Sequence, residues 1–171
     1  MCTLKQLSDL DLEAQHKARP NFPKEYLVRV TYSDADSNSF NKAICRRIEL
    51  FLESFATRMS VEGRVRVGKV SKDFMGNKQH QEIKRLPSSN LPGSFDVTTC
   101  VLGCRLEVEI KVGKDVIRPE QLKFKQRIES AEGYCMIVKN WEDFDNQWKV
   151  FLKSRREHFN KMINILNELG L

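Results

Sequence analysis

Apolar and polar positions along this chain change their period several times, and each change marks a candidate element. Phe40, Ile44, Ile48, Phe51, Leu52 and Phe55 recur at helical spacing, which predicts a helix from about Ser39 to Arg58 with one buried stripe. Upstream, Ser8 is a candidate cap for a short helix through about Ala18, stopped by Pro20 and Pro23, and residues 1–25 read as peripheral. Tyr26 to Tyr32 has strand-like residues, and the polar run Ser33 to Asn38 reads as a turn. Between residues 61 and 94 the reading is coarser: VEGRVRVGKVS as a strand, DFMGNKQHQ as a turn or loop, QEIKRL as a second strand and SSNLPGS as loop.

The clearest pattern is FDVTTCVLGCRLEVEIKV, residues 95–112. It alternates on both sides of Leu102-Gly103, as a β-hairpin with one buried side does. Phe95, Val97, Thr99 and Val101 share the apolar face with Leu106, Val108, Ile110 and Val112. Asp96, Thr98, Cys100, Arg105, Glu107, Glu109 and Lys111 occupy the other. The glycine supplies the positive φ that a two-residue loop needs. Beyond the hairpin, Pro119 opens a helix that runs to Ala131, with Leu122, Phe124 and Ile128 as its apolar contacts and Glu132-Gly133 as its end. Tyr134 to Val138 is a short apolar strand. A long helix follows over 141–169, with Phe144, Trp148, Phe151, Leu152, Arg155, Phe159, Met162, Ile163, Leu166 and Leu169 on one stripe. The order of elements predicts one α/β domain, a mixed sheet flanked by helices.

Composition bounds the function. Of 171 residues, 40% are hydrophobic and 30% charged, which fits a globular domain rather than a disordered chain. No apolar run is long enough to span a bilayer, and the first residues lack the apolar stretch of a secretory signal. Five cysteines at irregular spacing, without a C-x-x-C pair, argue against a zinc site and a disulfide framework and for reduced thiols in a cytoplasmic protein. The formal net charge of +6 favours an anionic partner, and nucleic acid is the commonest one.

Charge placement sharpens this. If Val101 pairs with Cys104, stepping outward sets Asp96 opposite Glu109, with Cβ atoms about 5 Å apart. Lys111 points to the same face. Two carboxylates that close repel unless a cation lies between them, and magnesium takes this kind of oxygen site. The main-chain carbonyl of Ile110 lies between the two side chains as a further oxygen. The same mixed-charge face is also what a solvated hairpin shows, and Glu107 adds a third acid in keeping with solvation.

A set of ordered motifs bears on that choice. Gly93-Ser94-Phe95-Asp96 is followed by Glu109-Ile110-Lys111-Val112-Gly113, Pro119-Glu120-Gln121, Glu132-Gly133-Tyr134, Ile137-Val138 and Trp141-Glu142-Asp143-Phe144. Over roughly residues 93–148 this resembles the virus-type replication-repair nuclease (VRR-NUC) family of the PD-(D/E)xK nuclease superfamily. The resemblance implies a restriction-endonuclease-like core over residues 39–148 and a magnesium- or manganese-dependent DNA endonuclease. Its work would lie in phage replication or DNA repair, with branched or flapped DNA as candidate substrates and a homodimer as the assembly.

By position, the resemblance makes Asp96 and Glu109 metal ligands, Lys111 the catalytic lysine and Gln121 the motif glutamine. Glu49, with Glu53 as its alternative, would be the acid that some members carry on the first core helix. Two positions depart from the family pattern. Phe95 replaces the usual proline, and Ala131-Glu132-Gly133 replaces Ala-Gly-Gly. Neither removes a catalytic side chain. Lys72, Lys78, Lys84, Arg85, Lys114, Arg118, Lys123 and Lys125 flank the motifs as candidate contacts to the DNA backbone, and Lys153, Arg155, Arg156 and Lys161 on the last helix are secondary ones. A nuclease fold that binds DNA or protein without cutting it is the competing reading.

Overall fold

The computed structural model describes the chain except residues 1, 52–53, 60–64, 67–70, 73–77, 80–83, 86–92 and 169–171. Helix α1 (Leu4–Ala18) begins at a capping box. Thr3 Oγ1 accepts from the Gln6 amide at 3.2 Å, and Gln6 Oε1 accepts from the Thr3 amide at 2.8 Å. The start therefore lies one turn before Ser8, whose hydroxyl instead donates to the Leu4 carbonyl. This segment is also not peripheral. Leu7 is fully buried in the main core, and the Trp141 indole donates to the Cys2 carbonyl at 2.6 Å. Asp11, almost fully buried, accepts from Tyr32 Oη at 2.8 Å and from Arg46 Nε at 2.6 Å, tying α1 to the next helix.

The stretch from Tyr26 to Tyr32 forms no strand. A single 3₁₀ turn (Lys24–Tyr26) leads into unpaired extended chain. Its strand-like residues Tyr26 and Val28 stay exposed, and strand propensity without a cross-strand neighbour holds no ladder. Helix α2 (Ser37–Glu49) is capped by Asp36, whose carboxylate accepts from the Asn38 and Ser39 amides, and it buries Phe40, Ala43, Ile44 and Ile48. It ends nine residues short of the expected Arg58, and Phe55–Arg58 is a strand, β1. Ser54 makes the break. Its hydroxyl reaches the Phe51 carbonyl and that of Ile48, which also accepts from the Phe51 amide. Phe51 still reaches the core, edge-on to Trp148, which is why its helical spacing misled; Phe55 lies exposed on the strand.

Two short pairs follow: β2 (Val65–Arg66) with β5 (Lys84–Arg85), and β3 (Ser71–Lys72) with β4 (Lys78–Gln79), both antiparallel. The expected strands at 61–71 and 81–86 are described only over these residues. β3 and β4 bracket part of the expected loop.

The main sheet has the order β1-β6-β7-β8, with β6 at Val97–Val101, β7 at Cys104–Ile110 and β8 at Tyr134–Val138. β1, β6 and β7 are antiparallel, and β8 runs parallel to β7. The hairpin register is the expected one, from Val101↔Cys104 to Val97↔Val108. Both loop residues take positive φ, Leu102 at 49° and Gly103 at 68°, as a twisted two-residue hairpin requires.

Both faces of this sheet are covered. α1, α2 and α4 (Trp141–Glu168) pack Leu7, Phe40, Ile44, Phe144, Trp148 and Phe151 against Val97, Leu106, Val108 and Met136. α3 (Pro119–Ser130) covers the other face, where Phe124 and Ile128 meet Phe95, Cys135 and Ile137. Phe95 thus lies opposite Val97's face, because the chain bends at Asp96 before β6 begins. Leu122, expected in the core, is on the exposed side of α3. The polar hairpin face is not a solvated surface. β7 is an interior strand, and Glu107, Glu109 and Lys111 are 1%, 3% and 4% exposed. Glu107 is held by Thr98 Oγ1 at 2.8 Å and Arg105 at 2.6 Å.

The fold is therefore mixed α/β, a four-stranded mixed sheet between helices with a long C-terminal helix. The second half of that helix leaves the core, and Phe159, Met162 and Ile163 are exposed there. Among the described residues no helix is long and apolar enough to cross a membrane.

The buried Asp11 carries a stability prediction. Asp11→Ala leaves the buried Tyr32 hydroxyl without its acceptor and Arg46 with Glu49 alone, so urea unfolding should lose about 2–3 kcal/mol. A loss near zero would show that α1 is not part of the cooperative unit.

Candidate active site

The site forms where β7 leaves the sheet. Its last residues, Glu109 and Ile110, and Lys111 just beyond them meet the start of β6 at Asp96 and the first turn of α3. Together they line a pocket of about 430 Å³ with Ser37, Gly93, Ser94, Asp115, Arg118, Glu120 and Gln121. Gly93 makes this meeting possible. Its φ is +82°, and a Cβ there would lie 2.4 Å from the Glu120 carbonyl oxygen, so only glycine lets the chain press against α3.

Asp96 is fixed through both its main chain and its side chain. Its carbonyl accepts from the Met59 amide at 2.8 Å and from Asn41 Nδ2 at 3.4 Å. Its Oδ2 accepts from the Ile110 amide at 2.9 Å, which ties the two strands just past their ladder. Glu109 Oε1 accepts from Lys111 Nζ at 2.8 Å and from Gln121 Nε2. Glu109 Oε2 is buried and has no hydrogen-bond partner among the described residues. Gln121 is itself clamped, its Oε1 accepting from the Arg118 amide at 2.9 Å. Lys111 Nζ also meets Asp115 Oδ2 at 3.1 Å. The Ile110 side chain is in the core, so it is its main chain that reaches the pocket.

The electrostatics follow from burial. Loss of water raises the Asp96 carboxyl above its ordinary range, against the opposing pull of the Ile110 amide and Lys111. Burial likewise raises Glu109, and Asp96 pushes it further up while Lys111 and Gln121 pull it down. For Lys111, burial works to lower the ammonium's pKa, but its bonds to Glu109 and Asp115 outweigh that and the net direction is upward.

Lys111 thus bridges the buried Glu109 and the half-exposed Asp115, Asp96 stands part-buried beside them, and one buried Glu109 oxygen is left over. A hard divalent cation with oxygen ligands fits this donor set: Asp96, Glu109 Oε2 and the Ile110 main chain, completed by water and a phosphate oxygen. Among the described residues no group of three or more His, Cys, Asp or Glu side chains forms a cage, so the fit is of this open, two-carboxylate kind.

Asp96, Glu109, Ile110, Lys111, Gln121 and Arg118 are brought together in this pocket. Glu49 is not. It is exposed at the end of α2, paired with Arg46 at 3.3 Å, and outside the pocket; α2 contributes Ser37 to the lining and Asn41 behind Asp96 instead. Glu53 lies outside the described residues. Lys114 and Lys123 are exposed near the pocket without lining it, and Lys125 pairs with Glu129 along α3. Lys72 and Lys78 are cross-strand partners, and Lys84 and Arg85 form β5; the description stops at their backbone. Ser37, Asn41, Ser94 and Asp115 were missed. Ser94 and Asp115 sit inside or beside the motifs, whereas nothing in the local pattern marks Asn41. No family model, curated protein or solved structure matches this chain.

An acid whose pKa is raised in the folded state contributes stability at low pH and loses it as pH rises through that raised value. Asp96→Asn removes this penalty while keeping an oxygen for the Ile110 amide. In metal-free buffer near pH 7.5 the variant should be more stable than the parent by on the order of 1 kcal/mol, and the gain should vanish near pH 4. Thermal melts across pH with chelator, then with manganese, check this. The parent should gain stability from manganese and the variant should not.

Proposed function

We propose that this chain is a divalent-metal-dependent nuclease that hydrolyses phosphodiester bonds in DNA, of the VRR-NUC kind that its motifs resemble. One observation carries the reading: Glu109 Oε2, buried and unpartnered, in the pocket that Asp96, Lys111 and the Ile110 main chain also line. A carboxylate oxygen left in that state is costly unless a cation is its partner. Bound there, magnesium or manganese supplies a Lewis acid that acidifies a water and neutralises charge developing on the phosphoryl oxygens.

The protein's own groups divide the remaining work. Gln121, held by the Arg118 amide, fixes the Glu109 carboxylate through Oε1. Lys111 has three N–H donors and uses two, on Glu109 and Asp115. The third is free to hold the attacking water or a phosphoryl oxygen, and the ammonium opposes the negative charge that builds in the transition state. Basic side chains around the pocket, Arg118 nearest and Lys114 and Lys123 further out, supply contacts to the DNA backbone.

The reading extends to a cytoplasmic enzyme of a bacterium or a phage-infected host, acting on branched or flapped DNA in replication or repair. It also extends to a homodimer. Exposed Phe159, Met162 and Ile163 on one long helix support association through that helix. Sedimentation should show a dimer that Met162→Glu combined with Ile163→Lys converts to monomer. A parent that sediments as a monomer at micromolar concentration removes the dimer from the proposal.

The decisive test is a cleavage panel of linear, nicked, flapped and four-way DNA in magnesium and in manganese. Asp96→Ala, Glu109→Ala and Lys111→Ala should each lower the rate by about 100- to 1000-fold, and Gln121→Ala by about 10- to 100-fold. A parent that cuts none of these substrates would leave the catalytically silent binding module as the better account.

A further inference from the structure

Past the two carboxylates the pocket continues to the start of α3, where its chemistry changes sign. Arg118 precedes the helix and Pro119, lacking an N–H, is its first residue. The Glu120 and Gln121 amides therefore stand at the open end of a 12-residue helix, where the dipole is positive. A guanidinium at that end is unfavourable for the helix itself. Arg118 and Glu120 in the first turn are both exposed, so water screens the repulsion and its offset alike.

A second, independent feature stands beside it. Ser94 is 8% exposed, and its Oγ is buried without a hydrogen-bond partner among the described residues. Its chain neighbour Gly93 packs against the Glu120–Gln121 peptide, and all of them line the same pocket. A buried hydroxyl left unpaired costs stability, as an arginine at a helix start does. Both costs are relieved by the same kind of ligand. A hydroxyl donor, a guanidinium and helix-end amides match the oxygens of a phosphate.

We propose that Ser94, Arg118 and the first turn of α3 bind a second backbone phosphodiester of the same DNA strand, adjacent to the one presented to Asp96 and Glu109. This rests on the nuclease reading and adds to it. The cationic subsite lies on one side of the carboxylates only, so it sets the direction in which a strand crosses the pocket.

Calcium, as a cation that supports binding without turnover, allows a test with minimal ligands. The thymidine dinucleotide carries one phosphodiester and the trinucleotide two. For the wild-type protein in calcium, the trinucleotide should bind about tenfold more tightly than the dinucleotide. Only the trinucleotide should shift the amide NMR signals of Ser94 and Glu120. Arg118→Gln and Ser94→Ala should shrink that ratio toward one, while Lys17→Gln, exposed on α1 outside the pocket, keeps it. Equal affinities in the wild type, or an undiminished ratio in Arg118→Gln, overturn the subsite. A 5′-phosphorylated dinucleotide that gains affinity when the trinucleotide does not would assign the site to a strand end and also overturn it. The cleavage panel decides the nuclease reading separately. Cutting without the affinity ratio loses only the subsite, and the ratio without cutting loses only the nuclease.

Discussion

The Glu109–Lys111 ion pair at the end of β7 is the interaction on which the rest of this structure depends. Both side chains are nearly fully buried at one end of an interior strand. Such a pair is tolerated only when its remaining hydrogen-bonding capacity is met. Gln121 meets part of it on the glutamate side and Asp115 on the lysine side. Each of these brings a loop or helix start to the same place, so the pair organises the pocket as well as occupying it. One glutamate oxygen, Glu109 Oε2, is buried with no hydrogen-bond partner among the described residues.

The sheet explains why the pocket lies where it does. β6 begins and β7 ends at the same edge of the hairpin ladder, so Asp96 and Glu109 are brought face to face by register alone. The parallel β7–β8 pairing then requires the chain to cross back over the sheet, and α3 is that crossing. Its first turn is carried to the end of β7, with Gly93 allowing contact at main-chain distance. The result is a pocket with a carboxylate side and a cationic side.

Some of this was legible along the chain. Strict alternation on both sides of Leu102-Gly103 is a short-range signal, so the hairpin and its register could be read directly, and with them the Asp96–Glu109–Lys111 grouping. Pro119 at a helix start and the apolar run at Tyr134–Val138 are similarly local. The break after Glu49 was not legible. It depends on Ser54 bonding the Ile48 and Phe51 carbonyls and on β1 pairing with β6, contacts that have no trace in a helical count of apolar residues. The same limit explains Glu49. The family resemblance pointed to an acid on this helix, but the helix's placement against the sheet turned Ser37 and Asn41 toward the site and left Glu49 with Arg46.

Alternation and turn chemistry, being local, let the sequence alone determine the hairpin, its register and which charged groups share a face. Whether that face met water or protein was decided by tertiary structure. An exposed hairpin and the centre of a covered sheet have the same period, and they differ only in what packs against them. Here β8 and α3 complete the second face, and burial turns an ordinary arrangement of acids and a lysine into raised carboxyl pKa values and an unpartnered oxygen. Desolvation is a property of the assembled fold, and no residue carries it in sequence.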